Sequence, residues 1–524
     1  MESKNYKSKI FNNPLFWPIV IFFLASIFRI FFMDIIEFKA DEAYAVYLIN
    51  NFFLNPQIIP YSSFSNTGLH NMPLSLYTLI FISIPSRDPQ FISFAIAFIN
   101  VFLVSLFYIY TRRIYGNTMA VFSSVFLAFS SWGILFSRKI WSPDLMLLLL
   151  IPTFYFLSQL IINKKPKKTL PLFFFLTLLP QMHFSGIYFF LVTIIIFFVL
   201  KVKVNFRKAF LGILIGLIPA LPYIFYNLTS IPFCPECQAL FQYQGASRSF
   251  DIHNFIRPFQ LLNGSYFDNP LGKDYQTFLN YFPFIKIFNI IFLIEFIIPI
   301  IGAILIYRYK KEYLFIIFYV VFIPFFYFLT KTPSYMYYYI IIFPAIILLF
   351  VSAFKISFDL SKKKIIKTSI ICIFALLLTI NFIFELSFYK FLSAKKVING
   401  DYGPIISETK GYVNREINSY LLLPYYKELK IYAYFYAYPQ ILHQKLGYFF
   451  MQKNNVDLAI LEFNKSLSTN REDLFSRANL AYIFIATGKI NEAKEQISIL
   501  ENKDATTAAK LKEIMQQATK NSNK

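Results

Sequence analysis

The chain has 524 residues, of which 57% are hydrophobic, 20% aromatic and only 15% charged. That composition excludes a soluble globular protein and leaves a polytopic membrane protein. A formal charge of +22 would suggest nucleic-acid binding in a soluble chain, but here the basic residues sit between hydrophobic spans, and no nucleic-acid partner is needed to explain them.

Apolar runs long enough for helical spans fall at about 15–33, 91–110, 118–136, 143–162, 170–183, 186–200, 209–226, 286–307, 313–329, 335–354 and 368–388. With residues 1–13 cytoplasmic, the inward segments carry most of the basic residues, among them Arg112-Arg113 and the runs at 164–168, 201–208 and 362–367. The short outward loops hold only Arg138, Lys139 and Lys331. This is the positive-inside pattern. It places 34–90, 227–285 and everything after about 389 outside. The first span lacks a small-residue cleavage site and is expected to be retained.

Just beyond that span lies Phe38-Lys-Ala-Asp41-Glu42-Ala-Tyr44. Ionised acids beside a bilayer must be solvated, paired or used, so Asp41 and Glu42 are candidates for chemistry; the alternative is a solvated helix turn. Glu37, Asp41, Tyr44 and Leu48 recur at helical spacing, which predicts a short interfacial helix displaying Asp41 toward a cavity. ATP and nucleotide-sugars are cytoplasmic, so outward chemistry would draw on a substrate activated in the membrane.

Further on, Gly68 and Pro73 interrupt regular structure around His70, a second acid/base, a metal ligand or a structural hydrogen-bonding residue. The turn Ser137-Arg138-Lys139-Ile-Trp141-Ser-Pro-Asp144 sets two cations outside, against the charge rule. Arg138 offers a planar fork for phosphate oxygens and Lys139 a mobile point charge; equally, Arg138 can pair with Asp144 and snorkel beside Trp141. Gln181 and His183 need partners in so apolar a setting, either in a site or on a neighbouring helix. The four histidines, 70, 183, 253 and 443, show no metal-site spacing. No zinc or other cofactor is therefore expected to be required, and a divalent ion would have no recognisable ligand set.

The outer loop 227–285 carries Cys234-Pro-Glu-Cys237, half a zinc site, which could equally be a local disulfide or a reduced pair. From about 441 the composition becomes that of a soluble protein. Leu446-Gly447, Phe450, Ala459 and Phe463 recur 34 residues later as Leu480-Ala481, Phe484, Ala493 and Ile497. This period resembles tetratricopeptide helical hairpins. Two repeats and a final helix at 505–519 would form a short solenoid, either binding a protein partner or capping the chain.

The order of Arg29 late in the first span, Asp41-Glu42, His70-Asn-Met-Pro73-Leu, Ser137-Arg138 to Asp144, and Gln181-Met-His183 resembles the polytopic glycosyltransferases of GT-C architecture. Within them it is most similar to the dolichyl-phosphate-mannose protein mannosyltransferase-like group, which includes the lipid A aminoarabinose transferases. The resemblance covers roughly 14–230 and extends loosely to about 390. It implies an all-α, GT-C-like bundle of about eleven transmembrane helices over 14–388, a connecting region at 389–440 and the helical repeats at 441–524. It implies transfer, with inversion, from a polyprenyl-phosphate-linked sugar to an extracytoplasmic protein, lipid or glycan. Asp41 would be the general base and Glu42 would orient it or bind sugar. Arg138, Lys139 and Arg29 would bind the donor phosphate, and Tyr44, His70, Asp144, Gln181 and His183 the substrates. The chain has Asn71-Met72-Pro73 where the family usually has a proline pair.

Two other classes fit a chain of this kind: an exporter of a lipid-linked glycan, and a membrane-anchored helical scaffold. A transporter should carry an internal repeat and midplane polar groups, whereas Glu295 is the acid that stands out inside a span and no duplication is visible. The abundance of Phe, Ile, Lys and Asn hints at an AT-rich prokaryotic genome, and so at a prokaryotic cytoplasmic membrane with the C-terminal region outside.

Overall fold

The computed structural model describes residues 15–63, 69–230, 234, 249–437 and 441–522. The chain divides into two compact units, Met1–Ser407 and Glu408–Lys524. Among the described residues there is no strand; isolated bridges join Glu37 to Ile405 and Val397 to Pro404.

The first unit is an all-α, multi-pass bundle. Among the described residues, seven helices are long and apolar enough to cross a membrane: Pro89–Tyr115, Ser142–Ile161, Phe206–Thr229, Ile285–Tyr309, Lys311–Leu329, Met336–Leu360 and Lys364–Lys395. Shorter apolar helices at Phe16–Arg29, Asn117–Phe129, Thr169–Met182 and Gly186–Val199 fall on the remaining expected spans. Local chemistry sets their limits. Asp88 caps Pro89–Tyr115 by accepting from the Gln90 N–H at 2.9 Å, with proline at the first helical position, and Gly116 ends the helix at φ +88°.

Met336–Leu360 is the centre of the bundle, with 89% of its most apolar stretch enclosed against 22% for Phe206–Thr229 and 28% for Ile285–Tyr309. Small residues allow the closest approaches. A Cβ on Gly302 would stand 2.0 Å from the Leu349 carbonyl oxygen. On Phe206–Leu217, Gly212 and Gly216 lie one turn apart, and their Cβ atoms would meet the Leu170 carbonyl at 2.5 Å and Thr177 at 2.8 Å. This is the small-residue packing by which helices associate where no hydrophobic drive separates helix from lipid. Glu295 is buried and accepts from Asn263 Nδ2 at 2.5 Å, but it is not alone. Asp144 and Glu385 are buried in their helical segments as well.

The second unit contains the helices Leu442–Gln452, Val456–Thr469, Leu474–Ala486, Ile490–Glu501 and Ala505–Ser522. Val456 and Ile490, which open the second helix of each hairpin, stand 34 residues apart. Gly447 gives room for the Phe463 ring, and Ala481, Ile485, Ala493 and Ile497 join Leu500, Ala508 and Leu511 in one core. The unit reaches back to Glu408, ahead of the composition change at 441.

Candidate active site

A cavity of about 470 Å³ opens among segments distant in sequence: residues 37–42, Ser63, Asn71, the turn 132–142, His183-Phe184, Asn269-Pro270, residues 335–338 and Asp401. Because successive helices alternate direction, all of these segments belong to one end of the bundle. The basic clusters at 112–113, 164–168, 201–208, 308–311 and 362–367 occupy the loops of the opposite end.

Asp41 reaches this cavity from the first turn of the helix Ala40–Leu54. Its neighbour Glu42 sits at the third helical position and turns back, its Oε2 accepting from the Lys39 N–H at 3.0 Å. That bond satisfies an orphan donor at the helix start, and the positive helix terminus favours the acid there. Asp41 is exposed, and among the described residues no hydrogen bond reaches its carboxylate. Although the residue is open to the cavity, the surrounding protein displaces much of the water that would solvate its charge, which raises its pKa; Glu37 adds to the effect, while Lys39 and Lys139 oppose it, and the net direction is upward. Glu42 is pushed further, to about 8, by burial and by Glu37.

Glu37 holds the two cations of the cavity together. It is only 2% exposed, and it pairs with Lys39 at 2.8 Å and with Lys139. Lys39 also reaches the Asp401 carboxylate at 3.0 Å. Burial acts against the charge on both lysines, but Glu37 and the neighbouring acids outweigh it, and both hold their protons above the ordinary lysine range. Lys139 lies over the Phe136 and Trp141 rings, at 5.6 and 5.4 Å from their centroids.

The backbone fixes these groups in place. The Phe38 N–H donates to the Pro404 carbonyl at 3.1 Å, the Ile406 N–H to Ile36 at 2.7 Å, and the Tyr402 hydroxyl to Ile35 at 2.6 Å. Asp401 is thereby held beside Lys39. His183 closes another side. Its Nδ1 accepts from the Ser185 N–H at 3.3 Å and lies 2.8 Å from the Ser185 hydroxyl, so a neutral ring assigned from these bonds carries its proton on Nε2. Trp132, Trp141, Tyr335, Tyr337 and Tyr338 complete an aromatic wall.

Of the residues expected from sequence, the structure brings Asp41, Glu42, Lys139 and His183 to the cavity. Arg29 is elsewhere. Fully buried, it donates to the carbonyls of Ala128 at 2.8 Å, Leu127 at 3.0 Å and Gly133 at 3.1 Å, closing the C-terminal carbonyls of Asn117–Phe129. Arg138 does the same for the first helix, bonding the Phe28 carbonyl at 3.0 Å, the Phe32 carbonyl and the Tyr389 hydroxyl. Asp144 is not a side-chain ion-pair partner of Arg138. Its Oδ1 accepts the backbone N–H groups of Arg138 and Lys139 at 3.0 and 2.9 Å, shaping the turn that presents Lys139. Gln181 donates to Thr177 at 2.8 Å and to Gly216 at 2.6 Å, a helix–helix tie. Tyr44 packs on Tyr47, and the His70 ring lies 4.0 Å from that of Tyr61; neither lines the cavity.

Glu37, Lys39, Asp401 and the tyrosines at 335–338 also line the cavity, and none of them is among the candidates expected from sequence. The usable signal was the acid–base–acid spacing of Glu37, Lys39 and Asp41 ahead of a helix. Cys234 is in a disulfide, Cys372 is free, and Cys237 lies outside the described residues. No group of three or more His, Cys, Asp or Glu able to hold a metal occurs among the described residues.

No family model matches the chain, and no curated protein matches it. Several solved structures are similar to it. The Archaeoglobus fulgidus oligosaccharyltransferase in complex with Zn and sulfate is 15% identical at a TM-score of 0.47, the match covering 81% of this chain and 57% of that one. ArnT from Cupriavidus metallidurans bound to undecaprenyl phosphate is 12% identical at a TM-score of 0.46, covering 90% and 80%. The archaeal oligosaccharyltransferase AglB from Archaeoglobus fulgidus, in complex with an inhibitory peptide and a dolichol-phosphate, is 13% identical at 0.40, covering 81% and 60%. The chain thus spans 57% of the length of the first of these. At such values no residue role carries across.

Proposed function

We propose that this chain is a membrane glycosyltransferase that moves a sugar from a polyprenyl-phosphate-linked donor to an acceptor outside the membrane, with Asp41 as general base. One observation carries the reading: in a cavity at the end of a helical bundle remote from its basic clusters, Asp41 alone of the helix-start acids leaves its carboxylate open, while Glu42 is used as a cap.

The chemistry follows from that placement. An acceptor hydroxyl bonded to the Asp41 carboxylate gives up its proton as its oxygen attacks the anomeric carbon, the C–O bond to the lipid phosphate breaks on the opposite face, and the configuration inverts. The charge that grows on the departing phosphate is met by Lys139 and Lys39, whose ion pairs with Glu37 keep them protonated and in position. Arg29 and Arg138, engaged with carbonyls, take no part. His183 offers an Nε2–H to a sugar or phosphate oxygen, and Glu42 acts on Asp41 through the helix start.

The aromatic wall suits the apolar faces of a sugar ring. The acceptor is a protein, lipid or glycan, and the host a prokaryotic cytoplasmic membrane with residues 1–13 inside. The helices after 441 resemble tetratricopeptide hairpins and are available to a protein partner.

The test is transfer from a panel of polyprenyl-phosphate sugars by the purified full chain in lipid nanodiscs with acceptor extract from native membranes. Transfer from at least one donor, with an inverted anomeric linkage, is expected. A retained linkage, or no transfer from any donor, would overturn the reading.

A further inference from the structure

The turn between Ile406–Ile417 and Tyr426–Phe435 has the sequence Asn418-Ser-Tyr-Leu421-Leu422-Leu423-Pro424-Tyr425. Leu422 is 98% exposed and Leu421 60%. Single exposed leucines are ordinary on a soluble surface, but two adjacent ones at the tip of a fixed turn call for an apolar partner.

The turn cannot fold back to hide them. Tyr420, on one side, is buried with its ring 4.9 Å from Phe450, and its hydroxyl donates to Glu462. Tyr425, on the other, packs 5.9 Å from Phe449 and accepts from Asn455 Nδ2 at 3.2 Å. Both ends are therefore fastened to the helical hairpin Leu442–Thr469, and the leucines project between them.

Part of the backbone of the tip is already paired. The Leu421 N–H donates to Asn418 at 3.3 Å, Leu423 to Tyr420 at 3.0 Å and Tyr426 to Leu423 at 3.0 Å, and Pro424 has no N–H to lose. Desolvating an unpaired N–H is the main cost of putting irregular backbone near hydrocarbon, and these three bonds lower it. Around the tip stand Tyr425, Tyr426, Lys427 and Lys430, the aromatic and basic groups that sit at a membrane–water boundary. Leu421 follows the end of the span Lys364–Lys395 by 26 residues, a length of chain that lets the tip reach the bilayer surface.

We propose that Leu421 and Leu422 insert into the headgroup–acyl boundary of the host bilayer and anchor the second unit on the membrane surface. This anchoring is independent of the transferase reading, since it needs no donor, acceptor or activity.

It is tested on the full chain in nanodiscs of phosphatidylcholine and phosphatidylglycerol, in a Cys372→Ser background. Leu422→Cys is labelled with an environment-sensitive fluorophore, and Asn502→Cys, on the exposed end of a repeat helix, is labelled in a second preparation as the aqueous control. The proposal expects blue-shifted emission at 422, several-fold stronger quenching by doxyl-labelled lipid than at 502, and protection from aqueous iodide. Iodide-accessible, doxyl-insensitive emission at 422 would overturn it. Blue-shifted emission insensitive to doxyl lipid would overturn it too, because the tip would then be covered by protein.

Discussion

At the scale of single residues, the cavity works by dividing labour among groups of one charge sign. Glu42 is committed to a helix start, Glu37 to two lysines, and Asp41 is left open. The division has measurable consequences for stability. A carboxyl whose pKa rises on folding binds its proton more tightly in the native state, so its contribution is fully present below the unfolded pKa, near 4.5, and is lost as pH rises through about 8. The detergent-solubilised protein should therefore melt at progressively lower temperature between pH 5 and pH 9, and Glu42→Gln should flatten that slope. An unchanged slope would mean that Glu42 titrates normally.

The buried ion pairs make a second prediction. Lys139→Met strands one oxygen of Glu37 and should cost about 3–5 kcal/mol of stability, while Lys139→Met combined with Glu37→Gln should regain much of it. Thermal unfolding of the two variants decides the matter, and an equal loss in both would contradict the coupling. Activity is a separate readout, since both variants remove a cation proposed to meet the phosphate.

At the scale of elements, the helices were legible in the sequence because hydrophobic runs flanked by basic clusters are a strong signal in a chain of this class. The spacing of Glu37, Asp41, Tyr44 and Leu48 led to a short helix that carries Asp41, but the helix begins at Ala40, after Glu37, and Tyr44 packs on Tyr47 away from the cavity. The roles of Arg29 and Arg138 were not legible. Both lie near apolar helix ends whose carbonyls have no partner within their own helix, and which distant carbonyls a guanidinium reaches depends on tertiary packing. Gln181 is similar, since its partner is a carbonyl on Phe206–Leu217 at Gly216. Gly216→Leu should separate those two helices by driving a side chain into Thr177. We expect it to lower the melting temperature well beyond the effect of Phe210→Ala, a truncation at an exposed position of the same helix. Comparable melting of the two variants would argue against close packing there.

At the scale of the whole first unit, what sequence reading missed was the assembly of the cavity. Its walls come from stretches as far apart as Glu37 and Asp401, and nothing in local pattern joins them. Tyr335, Tyr337 and Tyr338 are apolar enough to pass for part of a span, yet Tyr335 caps and the other two open the 3-10 turn Met336–Ile342 at the start of the buried helix, and all three line the cavity. The charge pattern also predicts an orientation that can be measured. Gln57→Cys should react with a membrane-impermeant maleimide in intact cells, and Lys165→Cys only after lysis; the reverse would invert the topology and put the cavity inside.

Asp41 is proposed to remove the acceptor's proton. The most direct measurement is single-turnover sugar transfer by wild type and Asp41→Asn at matched amounts in nanodiscs, with melting temperature and donor binding recorded for both. Unchanged melting and donor binding are expected, with transfer slowed about 10²- to 10⁴-fold. Transfer at the wild-type rate by Asp41→Asn would contradict that role.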